Sequence, residues 1–120
     1  MKQSHLKNGD IVLVTFPFSN LKDVKVRPAV VISRETVNTR ENDVTLAFIS
    51  SVEPEELESY EVLLPLKHID FKMSGLKKAS VFKLHKITTI EKKLVQRRLG
   101  VLGKTIRQEL AQALSKAVGI

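Results

Sequence analysis

Gly9-Asp10-Ile11-Val12-Leu13-Val14-Thr15-Phe16-Pro17-Phe18-Ser19-Asn20-Leu21-Lys22-Asp23-Val24-Lys25-Val26-Arg27-Pro28-Ala29-Val30-Val31-Ile32-Ser33 is the stretch that decides the fold. Its two apolar runs, 11–16 and 29–33, are rich in Val and Ile and predict strands on either side of a polar loop carrying Lys22 and Lys25. Asn8-Gly9 is a turn signal just before the first run. Proline holds the residue before it in an extended backbone, so Arg27 is expected at a strand mouth, anchored by Pro28. A guanidinium fixed there, beside a lysine-bearing loop, suits phosphate because its planar fork donates two parallel hydrogen bonds. The alternative is a structural ion pair between Arg27 and Asp23 or Glu35.

Working outward, residues 44–50 form a third strand, apolar on both faces and therefore expected at the centre of a sheet. Residues 61–66 and 79–87 supply two more strands. Asn38 to Asp43, the Glu-rich 53–59 and Asp70 to Gly75 are expected as connections, with a turn at Ser74-Gly75. Thr88 to Glu91 has capping-box spacing and predicts a short helical turn. From Thr105 the apolar positions Ile106, Leu110, Ala113, Leu114, Ala117 and Val118 recur every three or four residues, one stripe of an amphipathic helix. Thr105 and Gln108 form a second capping box, and Gly119 is the stop. Five or more short strands followed by one helix predict a mainly β fold, a small barrel or open sheet capped by that helix. No connection has the length and pattern of a βαβ crossover.

At 120 residues the chain is expected to be one domain over 1–120, large enough to bury a core unaided. It has no cysteine, which excludes disulfides, thiolate catalysis and cysteine zinc sites. No apolar run approaches the ~18 residues of a membrane span, so a cytoplasmic protein is expected. The formal net charge is +7. Glu53, Glu55, Glu56, Glu58 and Glu61 are concentrated in nine residues without Lys or Arg. Without those five of the 13 acidic residues, the 20 lysines and arginines outweigh the remaining eight by 12. Such an excess suits a polyanionic partner, nucleic acid or an acidic protein segment, and charge alone suits a merely lysine-rich surface equally well.

Gly-rich phosphate loops, Gly-x-Ser-x-Gly elbows and His-Glu-x-x-His motifs are missing from the sequence. His68-Ile69-Asp70 offers two ligand types on one strand face, but no metal site or cofactor is expected from so small a set. Chemistry then falls to organic side chains. In Ser80-Val81-Phe82-Lys83-Leu84-His85-Lys86, alternation sends Phe82 and Leu84 to the core and sets Lys83 and His85 side by side on the other face. RNA carries its own nucleophile, the 2′-hydroxyl. A base must remove that proton, a cation must stabilise the charge gathering on phosphate, and an acid must protonate the departing 5′-oxygen. Histidine suits either proton role, and the competing assignment of the Lys-x-His pair is a solvated strand face.

Three motifs in order carry a family resemblance: Gly9-Asp10-Ile11-Val12 with Arg27-Pro28-Ala29-Val30-Val31-Ile32-Ser33; the strand Val44 to Ser51; and Gly75-Leu76 with Ser80-Val81, Lys86-Ile87-Thr88-Thr89-Ile90 and Leu99-Gly100-Val101-Leu102. Together they resemble the MazF/PemK-type toxins, small ribonucleases of bacterial toxin–antitoxin pairs. The resemblance implies an SH3-like barrel with a C-terminal helix, acting as a homodimer. It implies a metal-independent endoribonuclease that cuts single-stranded RNA and leaves 2′,3′-cyclic phosphate and 5′-hydroxyl ends. It also implies neutralisation by an antitoxin with an acidic disordered tail.

Position by position, Arg27 stands at the family's catalytic arginine and Ser50 where a threonine is usual. Lys83 and His85 stand where some members carry an Arg-x-Asp pair and others an apolar residue and Glu. Arg27 is thus expected to stabilise the phosphate, His85 to act as base or acid, and Lys83 and Ser50 to orient the scissile group. Lys22, Lys25, Phe18, Ser51, Lys77 and Lys78 are expected as RNA contacts, with Phe18 the stacking platform and Phe16, Phe48 and Phe82 in the core. Because Ser50, Lys83 and His85 depart from the family pattern, a catalytically inactive binding module of the same fold stays open. So do a gyrase-directed toxin like CcdB and a translation-associated barrel.

Overall fold

The computed structural model describes residues 5–16 and 25–120. Along the chain run β1 (Asp10–Phe16), β2 (Lys25–Val31), α1 (Glu35–Arg40), β3 (Asp43–Ser50), β4 (Glu61–Leu64), α2 (Phe71–Ser74), β5 (Ser80–Glu91), β6 (Val95–Val101) and α3 (Lys104–Val118). A 3₁₀ turn at Lys92–Leu94 joins β5 to β6. The strands form one sheet in the order β4-β5-β3-β2-β1-β6, and every pairing is antiparallel. β3 lies inside the sheet, where a strand apolar on both faces belongs.

Period-two alternation divides the core into two layers. Ile11, Val30, Ala47, Phe82 and Leu84 face one way and are covered by Ile106, Leu110 and Ala113 of α3. Val12, Val14, Phe16, Ala29, Val31 and Leu46 face the other way and pack with Leu6 and Val95, while Phe48 sits half-buried at the margin. The helix therefore covers the sheet with the expected stripe from Ile106 to Ala117, while Val118, expected on the same stripe, is exposed. Gly119 ends it in the left-handed region (φ 75°), a conformation that costs glycine little.

Local signals misled in five places. The capping box at Thr105 and Gln108 does not form, because α3 already begins at Lys104 with Gly103 as its cap. Thr88 to Glu91 is strand, held by pairing with Asp43 to Leu46, and the helical turn comes one residue later. Two expected connections contain short helices: α1, whose buried Asn38 donates to the carbonyls of Leu6 (2.8 Å) and Ser33 (3.1 Å), and α2. Finally, Val95–Val101 was not read as a strand. Its polar Gln96-Arg97-Arg98 centre hides the pattern, but Arg98 Nη2 reaches the fully buried Asp10 at 3.1 Å and ties β6 to β1. Lys7 completes that cluster through its amide (3.0 Å) and its ammonium (3.5 Å). No helix among the described residues is long and apolar enough to cross a membrane.

Candidate functional site

β2, β3 and β5 end together at one rim of the sheet. There, on the face away from α3, the register sets Ala29 beside Phe48 and Phe48 beside Lys83. Arg27 lies two residues from Ala29, and Ser50 two from Phe48, so alternation returns both to this same face. These residues enclose a cavity of about 330 Å³, lined by Phe16, Arg27, Pro28, Phe48, Ile49, Ser50, Ser51, Val52, Ser80, Lys83 and Lys86. Three of the four expected catalytic residues, Arg27, Ser50 and Lys83, are therefore brought to one hollow.

Arg27 is exposed, and none of the ion pairs between described residues involves it. The structural pairing with Glu35 is not formed; Asp23 lies outside the described residues. Ser50 is turned to local use as well. Its Oγ accepts the Val52 amide (3.1 Å), which closes the end of β3 and fixes the hydroxyl at the cavity wall without the stiffness of a β-branched threonine.

Lys83 has a partner that in the sequence is only the last residue of the acidic run. Glu61, the first residue of β4, is directly opposite Lys83 in the ladder. Its Oε2 accepts from Lys83 Nζ at 2.7 Å, with the carboxylate 6% and the lysine 21% exposed. The other oxygen accepts the Glu58 amide at 3.1 Å. The Lys83 hydrogen bond first, and the Glu58 amide second, hold the Glu61 carboxyl below the ordinary glutamate range, against the opposing effect of burial. Lys83 thus reaches the cavity with its charge already shared.

His85 is not brought to the cavity. Strict alternation would set it beside Lys83, but β5 carries an irregularity: Ala47 pairs with Ile87, while its neighbour Phe48 pairs with Lys83. Three β5 residues, 84–86, lack ladder partners on β3, and a bulge of this kind re-aims side chains. Lys86 joins Lys83 on the cavity wall, whereas His85 is exposed and meets Tyr60 edge to face, ring centres 4.5 Å apart. His68 Nδ1 accepts the Asp70 amide at 2.9 Å. Among the described residues no cluster of His, Cys, Asp or Glu could hold a metal ion.

A second hollow of about 410 Å³ adjoins the first, sharing Pro28, Ser51 and Ser80 with it, and is lined also by Lys77, Lys78, Arg97, Leu76 and Leu99. Its back wall explains one glycine of the third motif. Gly75 has φ 74°, and a Cβ there would lie 2.1 Å from the Leu99 carbonyl oxygen. Lys25 opens β2, exposed, opposite Phe16. Lys22 and Phe18 lie outside the described residues. Phe82 is fully buried as expected. Phe16 and Phe48, also expected in the core, contribute to it but wall the cavity as well, because their layer opens at this rim.

Arg97 and Lys86 were not anticipated: one lies on the unread strand, the other is turned inward by the bulge. The two hollows together are lined by six cations, Arg27, Lys77, Lys78, Lys83, Lys86 and Arg97, and among the described lining residues by no carboxylate. Such a surface concentrates anions, and phosphodiesters above all.

A family model for PemK-like, MazF-like toxins of type II toxin–antitoxin systems matches residues 7–118. The Mycobacterium tuberculosis toxin MazF-mt6 shares 23% identity and superposes with a TM-score of 0.74, over 92% of this chain and 97% of that one. An endoribonuclease from a mycobacterial species, solved in complex with its cognate antitoxin, gives 0.77 at 16% identity over 96% of each chain. MazF in a MazE–MazF crystal from Deinococcus radiodurans gives 0.77 at 17% over 97% of each. Identities this low establish a shared fold. No individually curated protein matches the sequence.

Proposed function

Because the chain belongs to the PemK-like, MazF-like toxins of type II toxin–antitoxin systems, we propose that it is a metal-independent endoribonuclease acting on single-stranded RNA. The observation that carries this is the six-cation lining of the adjoining hollows, carboxylate-free among the described residues, with the exposed Arg27 on the wall of the first. The RNA 2′-hydroxyl attacks the adjacent phosphorus, the bond to the 5′-oxygen breaks, and a 2′,3′-cyclic phosphate and a 5′-hydroxyl result. Arg27 stabilises the charge that builds on the phosphoryl oxygens. Ser50 and Lys83 hold the scissile group, Lys83 through the Nζ protons that Glu61 leaves available.

Proton transfer is assigned to His85, the one histidine on the strands that wall the cavity. It must leave Tyr60 to take part. Ser51, Lys25, Lys77 and Lys78 line the path of the RNA backbone. The same cations suit an antitoxin with an acidic disordered tail, which would compete with RNA for them, and the active form is a homodimer in the cytoplasm.

The position of His85 on Tyr60 and the engagement of Lys83 by Glu61 favour one second assignment, an RNA-binding module that has lost cleavage. Kinetics on a single-stranded RNA separate the two. For the ribonuclease, Arg27→Ala lowers kcat about 10²- to 10³-fold and leaves the shape of the pH–rate profile intact. His85→Ala lowers it about 10²-fold and removes one limb of that profile. A wild-type chain that binds RNA and never cuts it is the binding module.

A further inference from the structure

Phe48 has the placement of a ligand-binding ring rather than of a core ring. It is half-buried, lines the cavity, and stands directly opposite Lys83 in the ladder and two residues before Ser50. At strand rise those two residues span about 7 Å, the scale of one nucleotide. On the β2 side its neighbour is Ala29, whose methyl is too short to cover the ring. Phe16 braces it edge to face, centroids 5.0 Å apart and planes at 63°, an arrangement that fixes the ring. Phe16 itself is only 5% exposed, so among the described residues Phe48 is the main aromatic surface that this cavity presents. Around it stand Arg27, Lys83 and Lys86. A planar apolar face surrounded by cations fits a nucleobase whose phosphates contact those cations, since every base has a π-face and aromatic rings bind it without sequence-specific hydrogen bonds.

Resting on the ribonuclease assignment of this same cavity, we propose that Phe48 is the stacking wall for the nucleobase next to the scissile phosphate. It holds that base while Arg27 and Ser50 meet the phosphate, and so contributes to the choice of cleavage site. Stacking tolerates any base but favours the larger ones, so discrimination at this position is graded and follows ring size.

Phe48→Trp tests this directly, because the chain contains no tryptophan and the new indole is a unique reporter. The probe is a randomised 2′-O-methyl RNA 10-mer, which lacks the attacking hydroxyl, beside an abasic 10-mer of equal charge. The expected result is tryptophan quenching by the base-bearing oligomer and little by the abasic one. Phe48→Leu should then weaken binding of the base-bearing oligomer about 5- to 150-fold, the loss expected of one stacked base. Phe48→Tyr, which keeps the ring and its packing on Phe16, should restore most of the binding that Phe48→Leu loses.

Equal quenching by both oligomers overturns the proposal. So does Phe48→Leu cutting RNA at the wild-type sites with the wild-type kcat/KM, and in that case the ribonuclease assignment stands without the base wall. If base-dependent quenching is seen in a chain whose wild type never cuts RNA, the ribonuclease assignment fails and takes with it the role of Phe48 beside a scissile phosphate, leaving a base-binding ring in an RNA-binding module.

Discussion

Replacing Glu61 by Gln keeps the side chain's shape and an acceptor for the Glu58 amide but deletes the charge that holds Lys83. Breaking a fully buried pair costs about 3–5 kcal/mol, and an exposed one contributes under about 1 kcal/mol. With the carboxylate 6% and the lysine 21% exposed, the pair lies nearer the buried limit, but the orphaned ammonium can turn into the cavity and rehydrate. A loss of about 2 kcal/mol is expected. For 120 residues the unfolding entropy is about 0.25 kcal/mol per kelvin, so Tm should fall by about 8 °C at pH 7.

The pH dependence has a definite sign. The Glu61 carboxyl is lowered in the folded chain, so its contribution is complete above the ordinary glutamate value of 4.5 and fades as pH falls through the lowered folded value. The gap in Tm between wild type and Glu61→Gln, followed by circular dichroism, should therefore close in acid. Lys83→Met should cost less in the Glu61→Gln background than alone. Released from Glu61, Lys83 becomes a further free cation, and the salt dependence of single-stranded RNA binding should steepen by about 0.7 in log–log slope. A Tm within 2 °C of wild type at pH 7, or a gap that persists unchanged in strong acid, would refute the pairing as a source of stability.

Asp10→Ala leaves Arg98 and Lys7 without their shared buried carboxylate. It should cost about 3 kcal/mol in urea unfolding, with the remaining protein still able to bind RNA. Gly75→Ala forces a left-handed Cβ into the Leu99 carbonyl; a loss of more than about 2 kcal/mol is expected by the same measurement. Ile106→Ala removes a fully buried side chain between α3 and the sheet and should lower stability by about 2–5 kcal/mol. Because that face lies opposite Arg27, kcat at a temperature where the variant is folded should stay within about threefold of wild type, as distant sites act nearly independently.

Much of this architecture is legible in the chain because local and long-range preferences agree there. The Val- and Ile-rich runs around Pro28, the two-sided apolarity of Val44 to Ser50 and the stripe from Ile106 to Ala117 each name their own burial. The convergence of Arg27, Ser50 and Lys83 follows from strand ends meeting at one rim. What escaped depends on partners. β6 is held to β1 where Arg98 meets the buried Asp10, and α1 is helix because Asn38 is bonded on two sides. His85 stands away from Lys83 because a bulge, invisible to strict alternation, takes up three residues of β5. Glu61 reads in sequence as the end of an acidic run; only the β4–β5 register makes it the counter-charge of Lys83. Phe48 obeys the alternation that marks core residues, but its layer is open at this end.

In the function proposed, RNA bound in the cation-lined cavity beside Arg27 is cut by its own 2′-hydroxyl. Purified protein, incubated with single-stranded RNA in excess EDTA beside Arg27→Ala prepared identically, tests it most directly, with fragment ends read by mass spectrometry. Cuts at restricted sites bearing 2′,3′-cyclic phosphate and 5′-hydroxyl ends, reduced at least 100-fold by the substitution, are the predicted result. Folded wild-type protein that leaves varied RNAs intact, or an Arg27→Ala variant that cuts at the wild-type rate, would contradict it.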